Sequence, residues 1–276
     1  MTDFFSPDYF AARDRFRSAV LASNGQIESI LLADDLTIDI GWFGVSAPKR
    51  VLVHSSGLHG VEGFAGSAIQ LHWLDRGLPA LPHDGAIAIA HCLNPFGMAQ
   101  LRRTNENRVD LNRNFLAADE EYSGAPQYAG GIAALLRGLG GLRRTITQGQ
   151  YEYPDGLFYG GKHREQGARR YQIYLSDRLA NADRIAAIDV HTGTKHPTPG
   201  KGSLAGLFGR MFPAAKVVFE EQKFYVCSDL KAFMTLRNES KADMKEIYCP
   251  RSAKWREEVL LSGEEAIEQA VKWAFG

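Results

Sequence analysis

Apolar residues enter this chain in two distinct rhythms. Between Pro7 and Ser23 they recur at helical spacing, with Phe10, Phe16 and Val20 close to one face, which predicts an amphipathic helix. The same rhythm predicts helices over Gly66–Leu74, Ile132–Arg144, Arg164–Ala180 and Trp255–Ala274. In other places the apolar residues run together without alternation: RVLVHSS at 50–56, AIAIAHCLN at 86–94 and RIAAIDVH at 184–191. Short unbroken runs rich in β-branched residues predict strands buried on both faces. Ile27–Ile40 reads as a hairpin or a pair of strands and Ala215–Val226 as a further strand. The Pro/Gly-rich His196–Ser203 reads as loop. Strands that alternate with helices, several of them doubly buried, predict an α/β fold. The expectation is a single domain over 1–276, with a mixed, largely parallel sheet flanked by helices on both faces.

Composition narrows the field mostly by exclusion. The chain has 276 residues, of which 45% are hydrophobic and 23% charged, ordinary values for a globular protein. Its 32 basic and 32 acidic side chains cancel, which removes the electrostatic case for nucleic acid or a membrane surface as partner. The charged N-terminal stretch lacks an apolar signal core, and no apolar run approaches the ~20 residues that span a bilayer. Cys92, Cys227 and Cys249 are widely spaced and odd in number, so they read as reduced structural thiols. Together these features predict a cytoplasmic protein.

Candidate chemistry collects at the carboxyl ends of the buried runs, where open α/β sheets build their sites. His59 and Glu62 lie in the glycine-rich turn after the run that ends at Ser56, and His191 closes the run that begins at Arg184. Two imidazoles and a carboxylate leave a coordination position open, the pattern of a catalytic rather than a structural zinc. Such a zinc activates water and polarises a carbonyl. A His-x-x-Glu pair alone is a weak motif. The stretch Asn94–Phe115 adds weight, because it packs Arg102, Arg103, Arg108 and Arg113 among Asn105, Asn107, Asn112 and Asn114. Guanidinium groups grip carboxylates in a fork and asparagines add directional hydrogen bonds. The remaining histidines (His54, His72, His83, His91, His163 and His196) read as packed or solvated.

In chain order, HGVEG, NP-x-G, R-x-N-x-x-x-VDLNRNF and DVHTG resemble the zinc carboxypeptidase superfamily over nearly the whole length. The similarity is greatest to a bacterial carboxypeptidase-like branch with segments like QYEYPDGLFYGGK. Succinylglutamate desuccinylase and aspartoacylase are more distantly similar. The resemblance implies that His59, Glu62 and His191 hold one Zn2+. It implies that Asn112 and Arg113 bind the terminal carboxylate of the substrate, and that Arg103 polarises the scissile carbonyl, with Arg108 a weaker candidate. Asp110 would orient the His59 ring. The implied activity is hydrolysis of an amide bond next to a free carboxylate, in a small peptide or an N-acyl amino acid.

The match breaks at the residue that should move the proton. Counting back from LRNE at Leu236–Glu239, the superfamily's glutamate falls on Lys223. Glu220 and Glu221 lie nearby, and on a strand only Glu221 shares a face with Lys223. The interval between 192 and 216 is also short for the superfamily. Two expectations therefore stand side by side: an active zinc hydrolase with Glu221 or Glu220 as general base, or an impaired homologue that binds zinc and a carboxylate ligand without turnover.

Overall fold

The three unalternating runs become the middle of the sheet. The computed structural model describes residues 3–33, 35–124, 149–193, 202–226 and 241–276. Six strands lie in the order β1-β2-β4-β3-β5-β6: β1 (Gln26–Ala33), β2 (Leu36–Gly44), β3 (Arg50–Ser55), β4 (Gly85–His91), β5 (Arg184–Gly193) and β6 (Lys216–Tyr225). Strands β4, β3, β5 and β6 are mutually parallel, while β2 runs antiparallel to both β1 and β4. The expected mixed, largely parallel sheet is what the chain forms.

The sheet is covered on both faces, and the period of two along each strand explains how. Leu52, Ile87, Ile89, Ala186, Ile188 and Val190 pack into one apolar cluster with helices α1 (Tyr9–Ala22), α2 (Gly63–Arg76) and α7 (Ala253–Phe275). Their neighbours Val51, Val53, Ala86, Ala88, Ala90, Ile185 and Ala187 pack into the other. That second cluster takes in α4 (Gln166–Arg178) and α5 (Leu204–Met211). Three helices, α3 (Pro95–Ala99), α5 and α6 (Lys241–Tyr248), were not expected from the sequence. The helix read at 132–144, most of the loop at 196–203, LRNE at 236–239 and Cys227 lie outside the described residues. Cys92 and Cys249 are buried free thiols. No helix among the described residues is long and apolar enough to cross a membrane.

The winding positions the site. The chain passes from β3 to β4 on one side, then crosses to β5 on the other side of β3. The crevice at such a switch point, outside the carboxyl ends of the strands, is where ligands bind in open α/β sheets. His59 and Glu62 follow β3, and His191 lies near the end of β5.

Two of the histidines read as packed carry an energetic consequence. His54 and His91 are fully buried, and burial lowers both pKa values from 6.5 to about 4. His54 Nδ1 meets the Gln70 amide at 3.2 Å, and the His91 ring stacks on Phe16 at 4.9 Å. Because the folded pKa is depressed, the unfolded chain takes up protons below about pH 6.5 that the folded chain refuses. Stability is therefore complete above that pH and declines toward pH 4. Between pH 7 and pH 5 the pair should account for a loss of about 4 kcal/mol. Urea midpoints at the two pH values measure it, and a His91→Gln variant should show roughly half the decline. Equal midpoints for the parent chain would refute this account.

Candidate metal centre

The turn carrying His59 and Glu62 is a single 3-10 turn, Gly60–Glu62, that leads directly into α2. Gly60 has φ +32, and a Cβ there would lie 2.4 Å from both Gly97 C and Arg102 O. Only glycine lets the turn press this closely against α3 and the segment that follows it. The Val61 amide donates to Arg102 O at 3.0 Å, which ties the turn to the loop that holds Arg103. His191 arrives independently, on a strand whose residues are buried almost throughout.

These elements bring His59, Glu62 and His191 together, with one ligand atom from each within 4.8 Å of the others. Their relative exposures are 2%, 0% and 7%, so the carboxylate and both imidazoles are withdrawn from bulk water. The donor set fits a metal ion in its finer geometry too. His191 Nδ1 faces Glu62 Oε2 at 3.4 Å, while its Nε2 lies 2.8 Å from Asp189 Oδ2. His59 Nδ1 lies 3.4 Å from Asp110 Oδ1, while its Nε2 lies 2.8 Å from the Arg103 guanidinium. Each histidine thus has an aspartate against one ring nitrogen, which is how ligating imidazoles are fixed in orientation. Glu62 Oε2 also accepts the Thr192 amide at 3.0 Å.

A cation already bridges these donors. The Arg103 guanidinium donates to Glu62 Oε1, lies 2.8 Å from His59 Nε2 and reaches Asp110 Oδ2 at 3.4 Å. Burial disfavours its charge, but Asp110 and Glu62 outweigh that and raise its pKa. The same contest governs His191: burial opposes the proton, yet Asp189 and Glu62 hold it and push the pKa up to about 10. An ion entering the cluster must displace that proton, so metal affinity should rise with pH.

Sequence reasoning singled out Asp110 but missed Asp189. The signal was available: Asp189 and His191 are two apart on a strand, hence on one face. Ser55 Oγ donates to Asp189 Oδ1 at 2.8 Å and keeps the carboxylate in place behind the ring.

The opposite wall comes from β6 and from the 3-10 turn Leu111–Arg113. The β5–β6 register sets Glu221 beside Asp189 and Lys223 beside His191. Glu221 and Lys223 share the face of Asp189 and His191, whereas Glu220 is exposed on the other. The Glu221 carboxylate accepts Asn112 Nδ2 at 3.3 Å on one oxygen and pairs with Lys223 Nζ at 2.8 Å through the other. Burial works to raise its pKa, but the charges of His191 and Lys223 prevail and lower it. Asn112 Oδ1 accepts the Leu204 amide at 2.9 Å, and Arg113 Nη1 donates to Asn112 O at 2.6 Å. Arg113 is buried, which lowers its pKa, with Arg103 adding to the effect. Arg108 is drawn away to pair with Asp155 in solvent.

Comparison with known proteins defines the class of fold first. The chain is similar to the carboxypeptidase A of Helicoverpa armigera, with a TM-score of 0.54 at 13% identity, over 96% of this chain and 74% of that one. It is similar to bovine thrombin-activatable fibrinolysis inhibitor, solved in complex with tick carboxypeptidase inhibitor, with a TM-score of 0.54 at 10% identity, over 95% and 97% of the two chains. The fold is like that of these carboxypeptidase-type structures. No curated protein matches the sequence. Residues 5–138 and 131–201 match the family described as "Protein of unknown function (DUF2817)", and the chain belongs to that family.

Proposed function

We propose that this protein is a zinc-dependent hydrolase that cleaves an amide bond next to a free carboxylate, in a small peptide or an N-acyl amino acid. The observation that carries the reading is the convergence of His59, Glu62 and His191, with Asp110 and Asp189 behind the two imidazoles. Bound there, zinc supplies a Lewis acid for the carbonyl and a nucleophile from water. Asn112 and Arg113 hold the terminal carboxylate of the substrate. Arg103 yields His59 and Glu62 to the ion and turns to the carbonyl oxygen as negative charge builds there. Glu221 takes the proton and hands it to the departing amine.

A second reading is favoured by one contact. Lys223 lies beside His191 in the ladder and pairs with Glu221 at 2.8 Å, so the chain could bind zinc and a carboxylate ligand while Glu221 is tied down. Zinc content after zinc-supplemented purification, measured with a panel of peptides and N-acyl amino acids, separates the two. Stoichiometric zinc with turnover is the expected result. Protein that takes up no zinc would sink both readings. Bound zinc without turnover, together with turnover gained in Lys223→Glu, would select the second.

A further inference from the structure

Glu221 is held in an arrangement that a bound ligand would adopt. Its Oε1 rests on Asn112 Nδ2 at 3.3 Å, and its Oε2 on Lys223 Nζ at 2.8 Å. One carboxylate is thus clamped from two sides by an amide and an ammonium, the donors that recognise carboxylates in general. The clamp is rigid on the Asn112 side. Asn112 Oδ1 is fixed by the Leu204 amide, which leaves Nδ2 as its free-facing donor, and its own amide donates to Asp110 Oδ1 at 3.0 Å. Arg113, next in sequence, is buried and bound to Asn112 O. On the other side, the parallel register of β5 and β6 holds Glu221 and Lys223 on one face, one place apart along it.

We infer that Asn112 and Lys223 form a carboxylate cradle whose resident occupant is Glu221, so that a substrate carboxylate enters by displacing this side chain. The inference rests on the reading of Asn112 as a substrate-binding residue and extends it in two respects. Lys223 becomes a determinant of binding rather than a misplaced base, and carboxylate recognition becomes coupled to the release of Glu221. A ligand without a carboxylate leaves Glu221 where it is. The site therefore discriminates against such ligands twice, by failing to be gripped and by failing to free the proton carrier.

Self-occupancy has a measurable signature. A ligand that must first displace an occupant binds more weakly by the fraction of time the site stands free. Hydrogen bonds to a charged group are among the stronger ones, so removing the occupant should tighten binding about tenfold or more. The probe is N-acetylglycine, titrated calorimetrically into the 276-residue chain both after chelator treatment and after zinc loading. N-acetylglycinamide, which lacks the carboxylate, is the control.

Glu221→Ala should tighten N-acetylglycine binding about tenfold in both states and leave the amide unaffected. Adding Asn112→Ala to Glu221→Ala should cancel the gain, which a mere loss of negative charge in the neighbourhood would not do. If the alanine variant unfolds, Glu221→Gln keeps the shape without the charge and should tighten binding in the same direction. Unchanged or weaker binding in the folded variant, or a gain that survives Asn112→Ala, would overturn the cradle. The chelated arm keeps this result apart from the hydrolase reading. Failure to bind zinc leaves the titration intact, and failure of the titration leaves zinc binding and turnover to be judged separately.

Discussion

Replacing His191 with alanine should strip the protein of stoichiometric zinc while leaving the fold in place. His191 is one of three donors, and the remaining two come from a single turn, so the ion would keep contact with only one side of the crevice. Replacing a residue that merely supports a ligand typically weakens metal binding about 10–100-fold. Losing the ligand itself should exceed that range. Asp189→Asn provides the matched comparison, because it removes the charge behind the ring and retains all three ligands. It should fall within about 10–100-fold. Competition against a chelator, followed by metal analysis of the recovered protein, ranks the three forms. His191→Ala that retains zinc as firmly as the parent would remove this residue from the ligand set. Affinity in the parent should also climb from pH 6 to pH 9, since the carboxylates around His191 hold a proton that the ion must expel.

Glu221→Gln should lower kcat by about 10²–10⁴-fold with zinc content unchanged. Glutamine fills the same space and can still accept from Asn112, but it cannot carry a proton. Glu221 is suited to the role by position, since the ladder places it beside Asp189 on the face of His191. It is a carboxylate at neutral pH, because the charges of His191 and Lys223 outweigh its burial. The same pairing makes it a feeble base while it lasts, since a general base works best with a pKa near the working pH. The measurement is steady-state kinetics on whichever panel substrate is turned over, alongside metal analysis. A glutamine variant that matches the parent in kcat would assign proton transfer elsewhere.

Much of this was legible in the chain before any coordinates, and the reasons differ by element. β3, β4 and β5 declared themselves because a strand covered on both faces has no polar side to interrupt its apolar run. His59 and Glu62 were legible as neighbours in a turn, and His191 as the last polar residue of such a run. β2 extends to Gly44, beyond the hairpin read at 27–40. Its Gly41 masks the strand rhythm locally. α5 was missed because Gly206 and Gly209 lower its intrinsic helicity. The cap was there to be read, with Ser203 accepting the Gly206 amide at 3.2 Å. The surroundings of Asn112 could not have been read at all. Its two side-chain partners, Leu204 and Glu221, lie 92 and 109 residues away and meet it only through the packing of α5 and β6.

The parallel register of β5 and β6 has a consequence in heredity. By setting residue 223 on the rung of His191, the ladder gives one codon control over the sign of charge on the wall of the crevice. Lysine and glutamate codons differ in their first base alone. Within this backbone, a wall that grips anions and a wall that carries protons are therefore neighbouring genotypes. A lineage could cross between them without moving a strand.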